Sequence, residues 1–275
     1  MVHLIYLTLG KLDPMALYNN EIELAIKAGG EILSHYKDAS VLVSTKADDS
    51  PLSSADLASH NVITRELSQM SSWPILSEES LSTDVTSRHT WGTYWLIDPL
   101  DGTKEFLQGN GEFTVNIALI ENHQPVFGVV HAPVLGVTYW GAKGVGAFKR
   151  DKGGADTAIR VRARPTDQSD WIVVGSRSHQ SDDFKHFLQR YPQASIVSMG
   201  SSLKLCLVAE GKADLYPRLG LTSEWDTAAA QAVVEAAGGV VVSWPGLEPL
   251  RCNTHLDSLL NPFFIVGADP LPSFA

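Results

Sequence analysis

The chain has 275 residues, 44% of them hydrophobic, enough to bury a sizeable core in one large domain or two closely joined lobes. Its formal charge of −10 argues against a nucleic-acid surface, although a small nucleotide held through cations stays open. Two cysteines, Cys206 and Cys252, offer neither a metal-ligand spacing nor a disulfide framework and suggest a reducing compartment.

Met1 to Leu9 is apolar but lacks the basic region and cleavage site of a signal peptide, and Lys11-Leu12-Asp13-Pro14 ends the run. No stretch reaches the roughly 20 apolar residues of a membrane span. Residues 1–14 read as an extension, with Met15 an alternative start.

Ala16 to Tyr36 repeats apolar residues at helical period, interrupted by Gly29-Gly30. Val41 to Val43 reads as a short strand and is followed by a polar loop. Ser53 or Ser54 caps a second helix with Asp56 in its first turn, a position that also suits an exposed acid stabilising the helix dipole. Pro74 to Ser77 reads as a strand end leading into Glu78-Glu79.

Tyr94 to Ile97 is a buried strand that delivers Asp98. Pro99 cannot donate to a ladder, so pairing is expected to stop about there. Asp98 and Asp101, with the Leu100 carbonyl between them, form an oxygen-only set of the kind that suits Mg²⁺. Gly102-Thr103 can then open a helical turn whose amides face outward as an anion site. An ordinary Asp-Pro and Asp-Gly turn would use the same residues. Aspartyl-phosphate phosphatases carry an Asp-x-Asp run, but with the acids two apart and near the N-terminus.

Phe113 to Ile120, Val126 to His131, Gly136 to Trp140 and Gly144 to Phe148 alternate as antiparallel hairpins do. After the polar stretch 150–170 the pattern changes to Trp171 to Val174 (strand), Asp182 to Tyr191 (helix), Ser195 to Met199 (strand), Leu203 to Ala209 (helix) and Ala213 to Tyr216 (strand). An Ala-rich helix spans Thr227 to Ala237, with Asp226 as its N-cap, and Val240 to Val242 is a strand. The tail is Pro-rich and reads as partly ordered. Two lobes are expected, 15–158 and 159–275, joined as one catalytic unit.

Asp56, Glu78-Glu79, Asp98-Pro99-Leu100-Asp101-Gly102-Thr103 and Trp225-Asp226-Thr227-Ala228-Ala229, in that order, resemble the signature of the inositol monophosphatase superfamily of lithium-sensitive, Mg²⁺-dependent phosphatases. Lys104-Glu105-Phe106, Gly111 to Asn116, Gly200-Ser201-Ser202-Leu203-Lys204 and Leu207 to Gly211 resemble its CysQ-type branch of 3′(2′),5′-bisphosphate nucleotidases. The resemblance implies an alternating α/β/α/β/α sandwich of α+β or α/β class. It implies hydrolysis of 3′-phosphoadenosine 5′-phosphate (PAP) to AMP and phosphate by in-line attack of a metal-activated water, in support of sulfur assimilation. Glu78, Asp98 and the Leu100 carbonyl would hold one Mg²⁺, and Asp98, Asp101 and Asp226 a second, with a weaker third ion near Glu78 as an option. Asp56 and Thr103, with Glu78, would orient the water, and the Gly102 and Thr103 amides would receive the phosphate.

Five acids in one cleft repel and are costly to desolvate, and cations resolve that conflict. Where inositol phosphatases place a glutamate, this chain has Ala213-Asp214-Leu215-Tyr216-Pro217-Arg218 and one extra residue before the Trp-Asp. Arg218 can pair with a second phosphate, and Ser201, Lys204 and the loop Ser176-Arg177-Ser178-His179 are further nucleotide contacts to weigh against solvated surface. An inositol or fructose-1,6-bisphosphate phosphatase is the rival within the enzyme class, and a non-catalytic nucleotide- or metal-binding protein the rival outside it. A cytoplasmic place, with peripheral contact to the inner membrane left open, and either monomer or homodimer complete the expectations.

Overall fold

The computed structural model describes residues 17–36, 43–45, 51–80, 87–176, 181–272 and 274. The N-terminal extension, Val41 and Leu42 of the expected first strand, and Arg177, Ser178 and His179 lie outside them.

The first helical period becomes α1 (Asn19–His35), which runs through Gly29-Gly30 without a break. A short hairpin of β1 (Val43–Thr45) and β2 (Pro51–Ser53) leads into α2 (Ser54–Met70), capped by Ser53. Then follow β3 (Ile75–Ser77), β4 (Thr93–Asp101), the short helix α3 (Thr103–Gln108), and a meander of β5 (Thr114–Glu121), β6 (Gln124–Ala132), β7 (Val137–Ala142), β8 (Gly146–Asp151) and β9 (Asp156–Ile159). These strands form a seven-stranded sheet in chain order, antiparallel throughout except for the parallel pair β3 and β4. The sequence pattern missed β9, Asp-Thr-Ala-Ile, which lies inside the polar stretch 150–170. It is an edge strand, and an Arg150–Asp156 ion pair at 2.8 Å does what apolar burial does elsewhere.

A second sheet of five strands contains β10 (Ile172–Ser176), β11 (Ser195–Met199), β12 (Leu215–Arg218), β13 (Gly239–Ser243) and β14 (Phe264–Ala268), in the order β11-β10-β12-β14-β13. The first three run parallel and β14 is antiparallel to both its neighbours. The tail therefore supplies an interior strand. Helices α4 (Asp182–Leu188), α5 (Leu203–Ala209) and α6 (Glu224–Ala236) complete the chain.

Three apolar clusters stack these elements into layers. Ile22, Ile32 and Ile63 of α1 and α2 meet Trp95, Ile97 and Phe127 on one face of the large sheet. Leu96, Ala118 and Val130 on its other face meet Cys206 of α5 and Val233 of α6, whose far sides cover Val174 and Phe264 of the small sheet. Phe184 and Phe187 of α4 close the outer face of that sheet over Val173 and Ile265. The order is helix, sheet, helix, sheet, helix. The middle layer sits close: a Cβ on Gly128 of β6 would lie 2.1 Å from the Ala229 carbonyl of α6. Glycine at that position lets the helix rest directly on the sheet.

Candidate active site

Side chains of β4 alternate: Trp95 and Ile97 face the α1–α2 layer, while Tyr94 and Leu96 face α5 and α6. Asp98 continues on the second of these faces. At a spacing of three, Asp101 would point the opposite way in a regular strand. The pairing shifts instead, from Asp98 opposite Asn116 to Asp101 opposite Thr114, so three steps on β4 match two on β5. This bulge returns Asp101 to the face of Asp98. The strand thus does not stop at Asp98 as expected, because Pro99 falls in the irregular step, where no ladder N–H is required. Its carbonyl accepts from Ser59 Oγ of α2 at 2.7 Å.

The third acid comes from α6. Its N-cap is Ser223 and Asp226 is the third helical residue, which corrects the expectation that Asp226 is itself the cap. Asp226 Oδ2 accepts the Ser223 amide at 2.9 Å, closing a capping box. Asp98, Asp101 and Asp226 each offer an oxygen, and these oxygens lie within 4.8 Å of one another. Asp98 is buried, while Asp101 and Asp226 are partly open.

Such a set is electrostatically unsettled. Desolvation lifts the Asp98 carboxyl well above its ordinary value, helped by the charges of Glu78, Asp101 and Asp226. Burial, followed by the charge of Asp101, pushes Asp226 up to about 8. Burial also raises Asp101, to about 6, although Lys204 and the Ser202 amide oppose the shift. Glu78 follows β3, whose parallel register with β4 sets Ser77 beside Ile97 and brings the Glu78 charge close enough to raise Asp98. A hard divalent cation would offset the crowded negative charge, and the all-oxygen donor set fits one.

Asp56 and Thr103 meet beside this cluster. Asp56 is the third residue of α2, and its Oδ2 accepts the Ser53 amide at 2.9 Å and the Ser53 hydroxyl at 2.5 Å. Its other oxygen accepts from Thr103 Oγ1 at 3.3 Å, and the Leu100 carbonyl lies 3.5 Å from the same hydroxyl. Capping and site duty are thus divided between the two oxygens of one carboxylate.

A cavity of about 130 Å³ opens beside Asp101 and Asp226 of the acid cluster. Asp101, Gly102 and Asp226 line one side, and Ser201, Lys204 and Arg218 another. Lys204 Nζ donates to the Ser201 carbonyl at 2.5 Å and lies 5.7 Å from the centre of the Tyr216 ring. Desolvation lowers its pKa to about 8, with Asp101 pulling the other way. Arg218 donates to the Leu221 carbonyl at 2.7 Å, while its buried Nε has no partner among the described residues.

Sequence reasoning gave no role to Ser202, Thr114 and Asn116, which surround Asp101. Ser202 donates its amide to Asp101 Oδ2 at 2.5 Å, and Thr114 Oγ1 and Asn116 Nδ2 lie 3.5 Å from the same oxygen. A signal was available in β5, where polar residues at 114 and 116 interrupt the core-facing alternation.

The inositol monophosphatase family model matches residues 13–259, and the chain belongs to that family. Within it, the chain is 49% identical over 247 residues to the 3′(2′),5′-bisphosphate nucleotidase CysQ of Salmonella typhimurium, covering 89% of this chain and 96% of that one. Against the protein of the same name in Escherichia coli K12 the figures are 48% over 248 residues, 89% and 97%. Among solved structures, CysQ from Bacteroides thetaiotaomicron superposes with a TM-score of 0.79 at 42% identity, covering 90% of this chain and 95% of that one. A Thermotoga maritima IMPase superposes at 0.72 with 26% identity, covering 90% and 91%. The family is metal-dependent, and among the described residues the acid cluster Asp98, Asp101 and Asp226 could hold a metal. No helix among the described residues is long and apolar enough to cross a membrane.

Proposed function

We propose that this protein is a 3′(2′),5′-bisphosphate nucleotidase that hydrolyses PAP to AMP and phosphate and so removes the by-product of sulfate activation in sulfur assimilation. The observation that carries this reading is the two-poled cavity. Asp101 and Asp226, two of the three acids suited to a cation, line it together with Lys204 and Arg218, which suit a second phosphate. A polyol monophosphate brings no second anion to the basic pole, and Arg218, whose buried Nε has no partner among the described residues, keeps a donor for one.

Asp98, Asp101, Asp226, Glu78 and the Leu100 carbonyl are the ligands we assign to two Mg²⁺ ions. Mg²⁺ held there supplies positive charge to the phosphoryl oxygens and to the departing alkoxide. The remaining steps belong to the chain. Thr103 commits its hydroxyl hydrogen to Asp56, and its oxygen lone pairs are then available to accept from a water on the far side of the phosphorus from the ester oxygen. Water adds to phosphorus as the bond to the 3′ oxygen breaks, and a proton passes to that oxygen to give the 3′ hydroxyl. Holding the phosphoryl group in line with that water is most of the task in such a transfer. The Gly102 and Thr103 amides, at the start of α3, face the same group. Ser201, Lys204 and Arg218 orient the nucleotide from the opposite wall.

The test is phosphate release with Mg²⁺ from PAP, inositol 1-phosphate and fructose 1,6-bisphosphate side by side, repeated with Li⁺. Strong preference for PAP is expected. Preference for either sugar phosphate would keep the metal chemistry and overturn the substrate.

A further inference from the structure

A hydrogen-bonded network stands behind Asp101. Besides the Ser202 amide, its Oδ2 faces Thr114 Oγ1 and Asn116 Nδ2, and these partners also bind one another. Ser202 Oγ donates to Asn116 Oδ1 at 2.9 Å, and Thr114 Oγ1 lies 2.9 Å from Ser202 Oγ. All three are at most 2% exposed. The directions of these bonds follow from the donor inventory. Asn116 accepts on its oxygen, so its nitrogen faces Asp101. Ser202 spends its single hydroxyl hydrogen on Asn116 and is left to accept from Thr114.

This clamp joins separate parts of the chain. Thr114 and Asn116 lie two apart on β5, directly across the bulge, while Ser202 is the N-cap of α5. The turn before α5 is further fixed by the Gly200 amide, which donates to Glu112 Oε2 at 2.8 Å. That turn carries Ser201 and leads to Lys204.

We infer that Asn116 and Ser202 are positioning residues: they hold one oxygen of Asp101, leave the other to a cation, and so set the cation affinity of the cleft. The inference rests on the reading of the acid cluster as a cation site. Because Ser202 begins the helix that carries Lys204, a filled cation site also steadies the wall opposite, so cation and bisphosphate favour each other's binding.

The test is calorimetric titration of Mn²⁺ into the substrate-free protein, for wild type, Ser202→Ala, Asn116→Ala, Ser202→Thr and Cys206→Ala. Loss of a group that orients a metal ligand weakens affinity about 10- to 100-fold, and that loss is expected for Asn116→Ala. Ser202→Ala keeps the amide on Asp101 and loses only the hydroxyl that turns Asn116 toward it, so its loss is smaller but exceeds twofold. Ser202→Thr keeps the hydroxyl and should stay near wild type. Cys206→Ala removes buried packing from the same helix without touching the clamp, so its melting temperature falls while its Mn²⁺ affinity holds. If Asn116→Ala does not fold, Ser202→Ala decides alone. Affinities within twofold of wild type for folded Ser202→Ala and Asn116→Ala would overturn the inference, as would an equal loss in Cys206→Ala or no Mn²⁺ binding by wild type. A wild-type protein that binds Mn²⁺ but releases no phosphate from PAP defeats the nucleotidase reading alone, since the clamp is read through cation binding.

Discussion

Thr103 Oγ1 lies 3.3 Å from Asp56 Oδ1, joining the first residue of α3 to the third residue of α2 across 47 positions of chain. On the proposed mechanism this pair directs the water. Asp56→Asn and Thr103→Ala should each lower kcat for PAP about a hundredfold or more, the scale of a lost proton-handling group, whereas Thr103→Ser should recover most of it. Asp56→Asn also weakens a capping box, costing about 1 kcal/mol. Steady-state kinetics read beside thermal melts separate the two effects, and a fully active Asp56→Asn would remove Asp56 from the mechanism.

The raised carboxyls make a prediction about pH. In the metal-free protein Asp101 and Asp226 are pushed to about 6 and about 8, against roughly 3.9 in an unfolded chain. Between those values the folded state holds more protons than the unfolded one, so stability falls as pH rises through the window. Melts in EDTA should show a lower Tm at pH 8 than at pH 5.5. Asp226→Asn should flatten that slope, and Mg²⁺ should raise Tm more at pH 8 than at pH 5.5, because the carboxylates then have fewer protons to release on binding it. A metal-free Tm that rises steadily from pH 5.5 to 8 would contradict the assignment.

Arg218 separates bisphosphates from monophosphates. Arg218→Ala removes a charged donor whose hydrogen bonds are worth about 1.5–3 kcal/mol, so KM for PAP should rise about 10- to 100-fold. Turnover of 3′-AMP, which lacks the second phosphate, should change little. Equal losses on both substrates would mean that Arg218 supports the fold of the cleft and does not read the second phosphate.

The contact between Gly128 and Ala229 links packing to chemistry. Gly128→Ala places a methyl group where the α6 backbone runs, 2.1 Å from a carbonyl oxygen. Overpacking of this kind costs about 1–3 kcal/mol. Because α6 carries Asp226, the variant should lose cation affinity along with thermal stability. Wild-type affinity at a lowered Tm would show that the helix can shift without moving its first turn.

Much of this was legible in the sequence because each part had its own period or punctuation. The hairpins of β5 to β8 follow from alternation, and α1 and α2 from their 3.6-residue repeat. Asp98 and Asp101 stood out because an apolar strand ends on them. Other features depend on partners that a single chain does not display. Phe264 to Ala268 is five residues set among prolines, and only pairing with β12 and β13 makes it an interior strand. Asp226 looks like an N-cap until Ser223, three residues earlier, takes that role. The serine-x-x-acid spacing of the capping box was there to be read. The shared face of Asp98 and Asp101 is set by a register shift against β5, which no property of β4 alone announces.

The bulge also frees main-chain oxygens from the sheet ladder. The Pro99 carbonyl is taken by Ser59, and the Leu100 carbonyl lies next to Thr103 at the cleft. Every amino acid brings the same carbonyl to position 100, so an alanine scan would score Leu100 only for its side chain, which is 1% exposed in the core. Its proposed part in holding a cation is shielded from point mutation altogether. Replacing the peptide link by an ester, or changing the number of residues between the two aspartates, are the alterations that reach it.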